Sequence, residues 1–355
     1  MNLREVVEKI GPEDQGAREE AHRRWSACAK PLGGLGFLET VVENVAALTG
    51  SAAVDFSHRA LLVLCADNGV VAQGVTQSPS SVTAAVAGNL AAGRSSVCMM
   101  AKVARCRVVP VDMGILDFSG LPGLLDRRMG NGTQDISVGP AMTRRQAEQA
   151  VLTGIELVRE QQEQGCRLLA TGEMGIGNTT TSSAVACMLL GRQVQELTGR
   201  GAGLSDQGLR RKIEVIRRAI AVNRPDPEDP LDVLSKLGGF DIAGLCGIFL
   251  GGALYGIPVL IDGVISSAAA LCAERLCPNS AKAMVASHVS QEPASRLLLE
   301  VLGKRQLITA GMHLGEGTGA VAAIPLLDMA LAVYQGSSTF DETGIEAYQP
   351  LGGQP

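Results

Sequence analysis

Four short apolar runs punctuate the chain, and each stops at a polar residue or a glycine. Ala60–Ala66 is followed by Asp67, Val108–Met113 by Gly114, Arg167–Thr171 by Gly172, and Pro258–Ile261 by Asp262 and Gly263. The runs are continuous rather than alternating, the pattern of strands covered on both faces. Helical periodicity fills the intervals. Leu209, Ile213, Ile216 and Ile220 fall on one helix face and predict a helix that ends before Pro225. Strands alternating with helices predict an α/β fold: a parallel sheet with helices on both faces. Ligands of such sheets sit beyond the carboxyl ends of the strands. Asp67, Glu173 and Asp262 all fall there.

The ends of the chain read differently. The first forty residues look helical and charged, then loosen into Lys30-Pro31-Leu32-Gly33-Gly34-Leu35-Gly36. The tail after Gly336 is polar and weakly patterned and is expected to fray. From Ile242 to Ile261 there is no charge, about the length that crosses a bilayer. Gly256 and Pro258 divide that run into a buried helix and a short strand, and the flanking Asp241 and Asp262 offer no basic anchors. A core helix is therefore expected there, not a membrane span.

Composition narrows the class. Apolar residues are 46% of 355, aromatics only 3%, and 43 residues are glycine. Many small residues and few rings suit α/β packing with glycine-rich loops, not a stacking platform for single-stranded nucleic acid. A net charge of −5 also argues against a general nucleic-acid binder. Nine cysteines, with no CxxC pair and mostly apolar neighbours, read as buried free thiols of a reducing, cytoplasmic compartment. The opening MNLREVVEKI lacks an apolar signal core.

Two acids stand out. Glu316 lies in His313-Leu314-Gly315-Glu316-Gly317-Thr318-Gly319, just before the apolar stretch Ala320–Val333. A carboxylate held among glycines at a helix start is poorly explained by packing and well explained by presentation to a substrate. Glu173 lies in Thr171-Gly172-Glu173-Met174-Gly175-Ile176-Gly177-Asn178-Thr179-Thr180, a strand running into a glycine loop and a helix that Asn178 or Thr179 could cap. Such a turn admits a phosphate, but neither a Walker motif nor a dinucleotide fingerprint is present. Gly199-Arg200-Gly201-Ala202-Gly203 offers a second flexible loop, and Lys212 in the helix beyond it reads either as a solvated lysine or as a cation aimed at a phosphate. His288, between small residues, reads as a structural side chain. Together these residues suit group transfer on a phosphorylated small molecule with a carboxylate as general base. From the residues alone, the substrate stays open.

The motifs together resemble the nicotinate-nucleotide–dimethylbenzimidazole phosphoribosyltransferases of cobamide assembly. The resemblance runs from about Lys30 to about Leu331. Its carriers are KPLGGLG (30–36), CADNGV (65–70), Ser78-Pro79, TGEMGIGNTT (171–180), GRGAGL (199–204), the long segment 223–245, PVLIDG (258–263), SHVS (287–290) and LGEGTGA (314–320). It implies a Rossmann-like parallel domain, 46–324, and a small helical domain built from both chain ends, 1–45 with 325–355. It implies that Glu316 takes a proton from an aromatic lower-ligand base, whose freed nitrogen attacks the ribose of nicotinate mononucleotide and releases nicotinate. The ring nitrogen of that nucleotide is already positive and leaves neutral. The reaction thus calls for a base and a phosphate clamp, with neither metal nor cofactor. By the same resemblance Glu173, Gly175, Gly177, Asn178, Thr179, Gly201, Gly203, Lys212, Asp262 and Ser290 surround the nucleotide. Ser78, Pro79 and Leu314 border the acceptor pocket. Family members are dimers.

The chain departs from the family at Asn68, where histidine is usual, and at Val86, where glutamine is common. Leu32 and Gly34 also differ. Asn68 and Val86 lie on the acceptor side, so the acceptor is expected to be a benzimidazole, with phenol or p-cresol as the alternative, the latter in a dimer of paralogous subunits. A catalytically silent partner subunit is a further alternative; the intact Glu316 and Glu173 motifs speak against it.

Overall fold

A computed structural model describes residues 2–348. Six parallel strands form one sheet in the order β3-β2-β1-β4-β5-β6: β1 Arg59–Ala66, β2 Arg107–Gly114, β3 Leu125–Asp126, β4 Leu168–Met174, β5 Val259–Ile261 and β6 Met284–Ala286. The four strands expected from the apolar runs are β1, β2, β4 and β5. The short β3 and β6 extend the sheet at its edges. In the central strand, Leu61 is level with Val108 on one side and Ala170 on the other.

Both faces of the sheet are buried, and β1 shows it residue by residue. Leu62, Leu64 and Ala66 pack into one hydrophobic core, while Leu61, Val63 and Cys65 pack into the other. This is why the strand reads as an unbroken apolar run: alternating side chains enter two different cores. The first core takes the helices Arg144–Glu163, Asn178–Leu190, Phe240–Tyr255 and Val264–Leu276. Phe240–Tyr255 is the buried helix expected within the uncharged run. It crosses Arg144–Glu163 so closely that a Cβ on Gly154 would stand 2.0 Å from the Gly244 carbonyl oxygen. Only glycine allows that approach.

The second core gathers later segments from both halves of the chain, while the N-terminal helix Leu3–Lys9 packs into the first core through Leu3 and Val6. The helices Gln15–Ala27 and Phe37–Thr49 pack with the long helix Thr318–Gly336. The ring centroids of Trp25 and Tyr334 are 4.9 Å apart, and the Arg24 guanidinium lies 4.6 Å from the Tyr334 ring centre. Thr318–Gly336 is long and apolar enough to cross a bilayer. Its Val321, Ile324, Leu327, Ala330 and Tyr334 instead fill this core. The fraying expected after Gly336 does not hold for the residues that follow directly. The Ala29 N–H donates to the Ser338 carbonyl at 2.9 Å, Thr339 bridges Cys28, and Phe340 is buried in the helix Phe340–Thr343. Hydrophobic contact and a strand-like bridge hold what composition alone marked as loose. Residues 349–355 of that tail lie outside the described residues. All nine cysteines are free and buried.

Candidate active site

Beyond the carboxyl ends of β4, β5 and β6 the sheet opens into a cavity of about 320 Å³. Two larger hollows, of about 610 and 720 Å³, lie on outer helices and are lined by arginines and glutamates of the surface, such as Arg159 and Glu156. The smaller cavity is distinguished by convergent buried polar groups, the usual mark of a ligand site.

Glu316 enters this cavity from an unusual turn. Gly315, Glu316 and Gly317 all have positive φ, at 86°, 60° and 89°. For glutamate that left-handed backbone costs about 1–2 kcal/mol. The turn is held by its neighbours. The Gly317 and Ala320 N–H groups donate to the two oxygens of Asp262 at 3.2 and 3.0 Å. The turn also lies flat on β4: a Cβ on Gly172 would stand 2.5 Å from the Glu316 carbonyl oxygen. The glycines around both acids thus let one loop seat on one strand. The Oε2 of Glu316 is buried and has no hydrogen-bond partner. A buried acceptor left open in this way is held ready for a donor that arrives with a ligand.

Glu173 ends β4, 7% exposed, with Oε1 2.9 Å from the place a Gly315 Cβ would occupy. Burial pushes its carboxyl up to about 8, the nearby Asp241 charge adds to the rise, and a hydrogen bond from Asn178 opposes it. The Asn178 amide donates to Glu173 Oε2 and, at 3.1 Å, to Asp241 Oδ2. Asn178 therefore does not cap its helix, and neither does Thr179. The cap position is Gly177, in left-handed backbone, with no side-chain cap bond. Burial also raises Asp262, against the pull of His288 and of the N–H groups it accepts from.

Behind another part of the wall stands a buried cation. Lys212 is completely buried, and its Nζ donates to Thr179 Oγ1 at 2.9 Å. The solvated helix-face alternative is thereby overturned, because the helices Asn178–Leu190, Val194–Leu197 and Pro230–Leu237 pack on its helix and Thr179 meets its ammonium. Burial lowers its ammonium to about 8, opposed by the charge of Glu292. The Ser290 hydroxyl is buried without a partner and lines the cavity. Gly201 lines it too, its N–H held at 3.0 Å by Glu292 Oε1.

Of the residues singled out in the sequence, Glu316, Glu173, Gly175, Asn178, Thr179, Gly201, Asp262, Ser290, Ser78, Val86 and Leu314 line one cavity. Lys212 and Gly177 stand directly behind that wall. Gly203, whose carbonyl accepts from Gln77, and Pro79 lie beside it. Asn68 is not on the wall. It is buried under the Gly175–Gly177 loop, where its Oδ1 accepts from Thr181 Oγ1 at 3.2 Å. Asp67 is likewise spent on structure, accepting from Thr83 Oγ1 at 2.7 Å and the Leu116 N–H at 2.9 Å. His288, buried with Nδ1 3.9 Å from Asp262 Oδ1, packs on Gly319 and also lines the cavity. Sequence reasoning missed Glu292 and the apolar lining residues Val82, Met174 and Ile176. Glu292 had one signal, an acid just before Pro293 and close behind Ser290; the apolar three had none.

The phosphoribosyltransferase family model matches residues 10–345. The chain belongs to that family. It is 44% identical, over 99% of its length and 100% of the relative's, to the nicotinate-nucleotide–dimethylbenzimidazole phosphoribosyltransferase of Ruminiclostridium cellulolyticum. It is also 44% identical, over 98% of its length and 99% of the relative's, to the enzyme of the same name from Acetivibrio thermocellus. Among solved structures, this family member is similar to CobT from Thermus thermophilus, with a TM-score of 0.88 and 39% identity, covering 93% of this chain and 99% of that one. The parallel sheet and its helical cover are therefore shared with a crystallographically known transferase.

Proposed function

We propose that the enzyme moves the ribose 5-phosphate of nicotinate mononucleotide onto an aromatic lower-ligand base of the 5,6-dimethylbenzimidazole type. The observation that carries the reading is the open, buried Oε2 of Glu316 in a cavity also lined by Thr179 and Ser290, with Lys212 behind Thr179. Glu316 takes the N–H proton of the acceptor. The freed nitrogen lone pair forms a bond to the ribose anomeric carbon. The bond to the nicotinate nitrogen breaks, and its electrons neutralise the positive ring. The products are an α-riboside 5′-phosphate and nicotinate. Phosphate is held by the loops at Gly175–Gly177 and Gly201–Gly203, with Lys212 behind them. A base so placed is worth about 10²–10⁴ in rate.

The acceptor side carries Val82, Val86, Met174, Ile176 and Leu314, a lining that supports a flat apolar ring. Two-subunit assembly belongs to the same proposal. On the outward side of Thr318–Gly336, Met329 is 57% exposed and Leu326 is half-buried, an apolar patch that supports it. The test is to incubate the pure chain alone with nicotinate mononucleotide and each acceptor. Release of nicotinate with dimethylbenzimidazole, out-competing phenol and p-cresol, is expected. Release only with a phenol reassigns the acceptor, and no release from folded protein with any acceptor overturns the reading in favour of a silent subunit.

A further inference from the structure

The segment Gly238-Gly239-Phe240-Asp241-Ile242 has no part in the chemistry described so far, yet it sends an acid beneath the site. Asp241 lies in the first turn of the helix Phe240–Tyr255 and is 0% exposed. Its Oδ1 accepts from the Ile242 N–H at 2.9 Å, and its Oδ2 accepts from the Asn178 amide at 3.1 Å. The same Nδ2 donates to Glu173 Oε2. One amide thus bridges two buried acids. The bridge is clamped from above: a Cβ on Gly175 would stand 2.9 Å from Asp241 Oδ2 and 3.2 Å from Asn178 Nδ2.

Among the described residues no salt bridge reaches Glu173 or Asp241. The charged groups facing Glu173 are Asp241, Asp262 and Glu316, all acids. Asp67 faces Asp241 from the end of β1. His288 faces Asp262, not this pair. Two adjacent carboxylates without a cation in a dry site do not both ionise, so one proton stays. The pair is unequal. Asp241 takes its second bond from a backbone N–H at a helix N-terminus, where negative charge is favoured. Glu173 ends at the cavity and has only the shared amide.

We propose that Asp241 is a positioning residue for this site: through Asn178 it fixes the Glu173 carboxyl, and its charge adds to burial in keeping the proton on Glu173. Glu173 then meets the substrate as a hydrogen-bond donor, suited to an acceptor-only group such as a carboxylate or a ribose oxygen. An ionised Glu173 would repel the same group. The choice of substrate group rests on the nucleotide reading above; the proton placement does not.

Infrared difference spectroscopy of the full-length protein tests it without turnover. In the wild type at neutral pH, a carboxylic-acid carbonyl stretch that disappears in Glu173→Gln is expected, and it should persist until about pH 8. In Asp241→Asn that band should titrate roughly one to three pH units lower. The KM for nicotinate mononucleotide should rise in Asp241→Asn at neutral pH, with a smaller change in kcat. Absence of the band in the wild type, or an unmoved titration in Asp241→Asn, overturns the proposal. If Asp241→Asn does not fold, Asp241→Ser, read by the same shift of the band, decides. Absence of nicotinate release by the wild type would instead overturn the proposed function and leave the infrared result standing.

Discussion

Glu316 combines left-handed backbone with a carboxylate oxygen that has no partner, a pairing met at functional sites more often than in turns. Glu316→Gln keeps the shape and removes the base, so nicotinate release should fall by about 10²–10⁴ while nucleotide binding, followed by calorimetry, stays within a few-fold. Lys212 gives a pH prediction. Burial has lowered its ammonium to about 8, so it is charged below that pH and neutral above. Nucleotide affinity should therefore fall as pH rises through 8, by up to about tenfold per unit. The measurement belongs in a Glu173→Gln background, because Glu173 also titrates near 8. The two acids are visible in the sequence because glycines flank them. The burial of Lys212 is not, since helical spacing shows only the helix's own stripe and not the neighbouring helices that pack on it. Asn178 reads as a cap because an asparagine at a helix start is usually one. In the folded chain two acids from other elements claim its amide.

At the level of elements, the site is a strand and a turn laid one on the other. β4 carries Glu173, the turn 315–317 carries Glu316, and Gly172 is the point of contact. Gly172→Ala would place a methyl group against backbone that has no slack. The cost should be about 1–3 kcal/mol in unfolding free energy. Turnover should fall further, since a shift of about 1 Å at a reacting group costs about 100-fold. Thermal unfolding and nicotinate release measured on the same sample separate the two effects. The strands β1, β2, β4 and β5 could be read from their apolar runs, because central parallel strands are apolar on both faces. β3 and β6 could not: they are edge strands of two and three residues, each paired along one side only.

Across the whole molecule, the helices Gln15–Ala27 and Thr318–Gly336 close over one face of the sheet, and Trp25 is their joint. It is 2% exposed and packs on Tyr334, more than three hundred residues away in sequence. Trp25→Ala should cost about 3–5 kcal/mol, read as a lowered Tm, while kcat/KM of the protein that remains folded stays close to the wild type. The nine buried thiols add something different. Cys28, Cys65, Cys98 and Cys106 lie in the core around Trp25, and Cys166, Cys187, Cys246, Cys272 and Cys277 lie in the other. Burial raises the pKa of Cys65 and Cys106 in the core around Trp25 and of all five in the opposite core, so a thiol reagent meets little thiolate until the protein opens. The chain therefore carries its own set of opening reporters, one for each face of the sheet. Labelling resolved by mass spectrometry should show whether the two faces open together or one before the other.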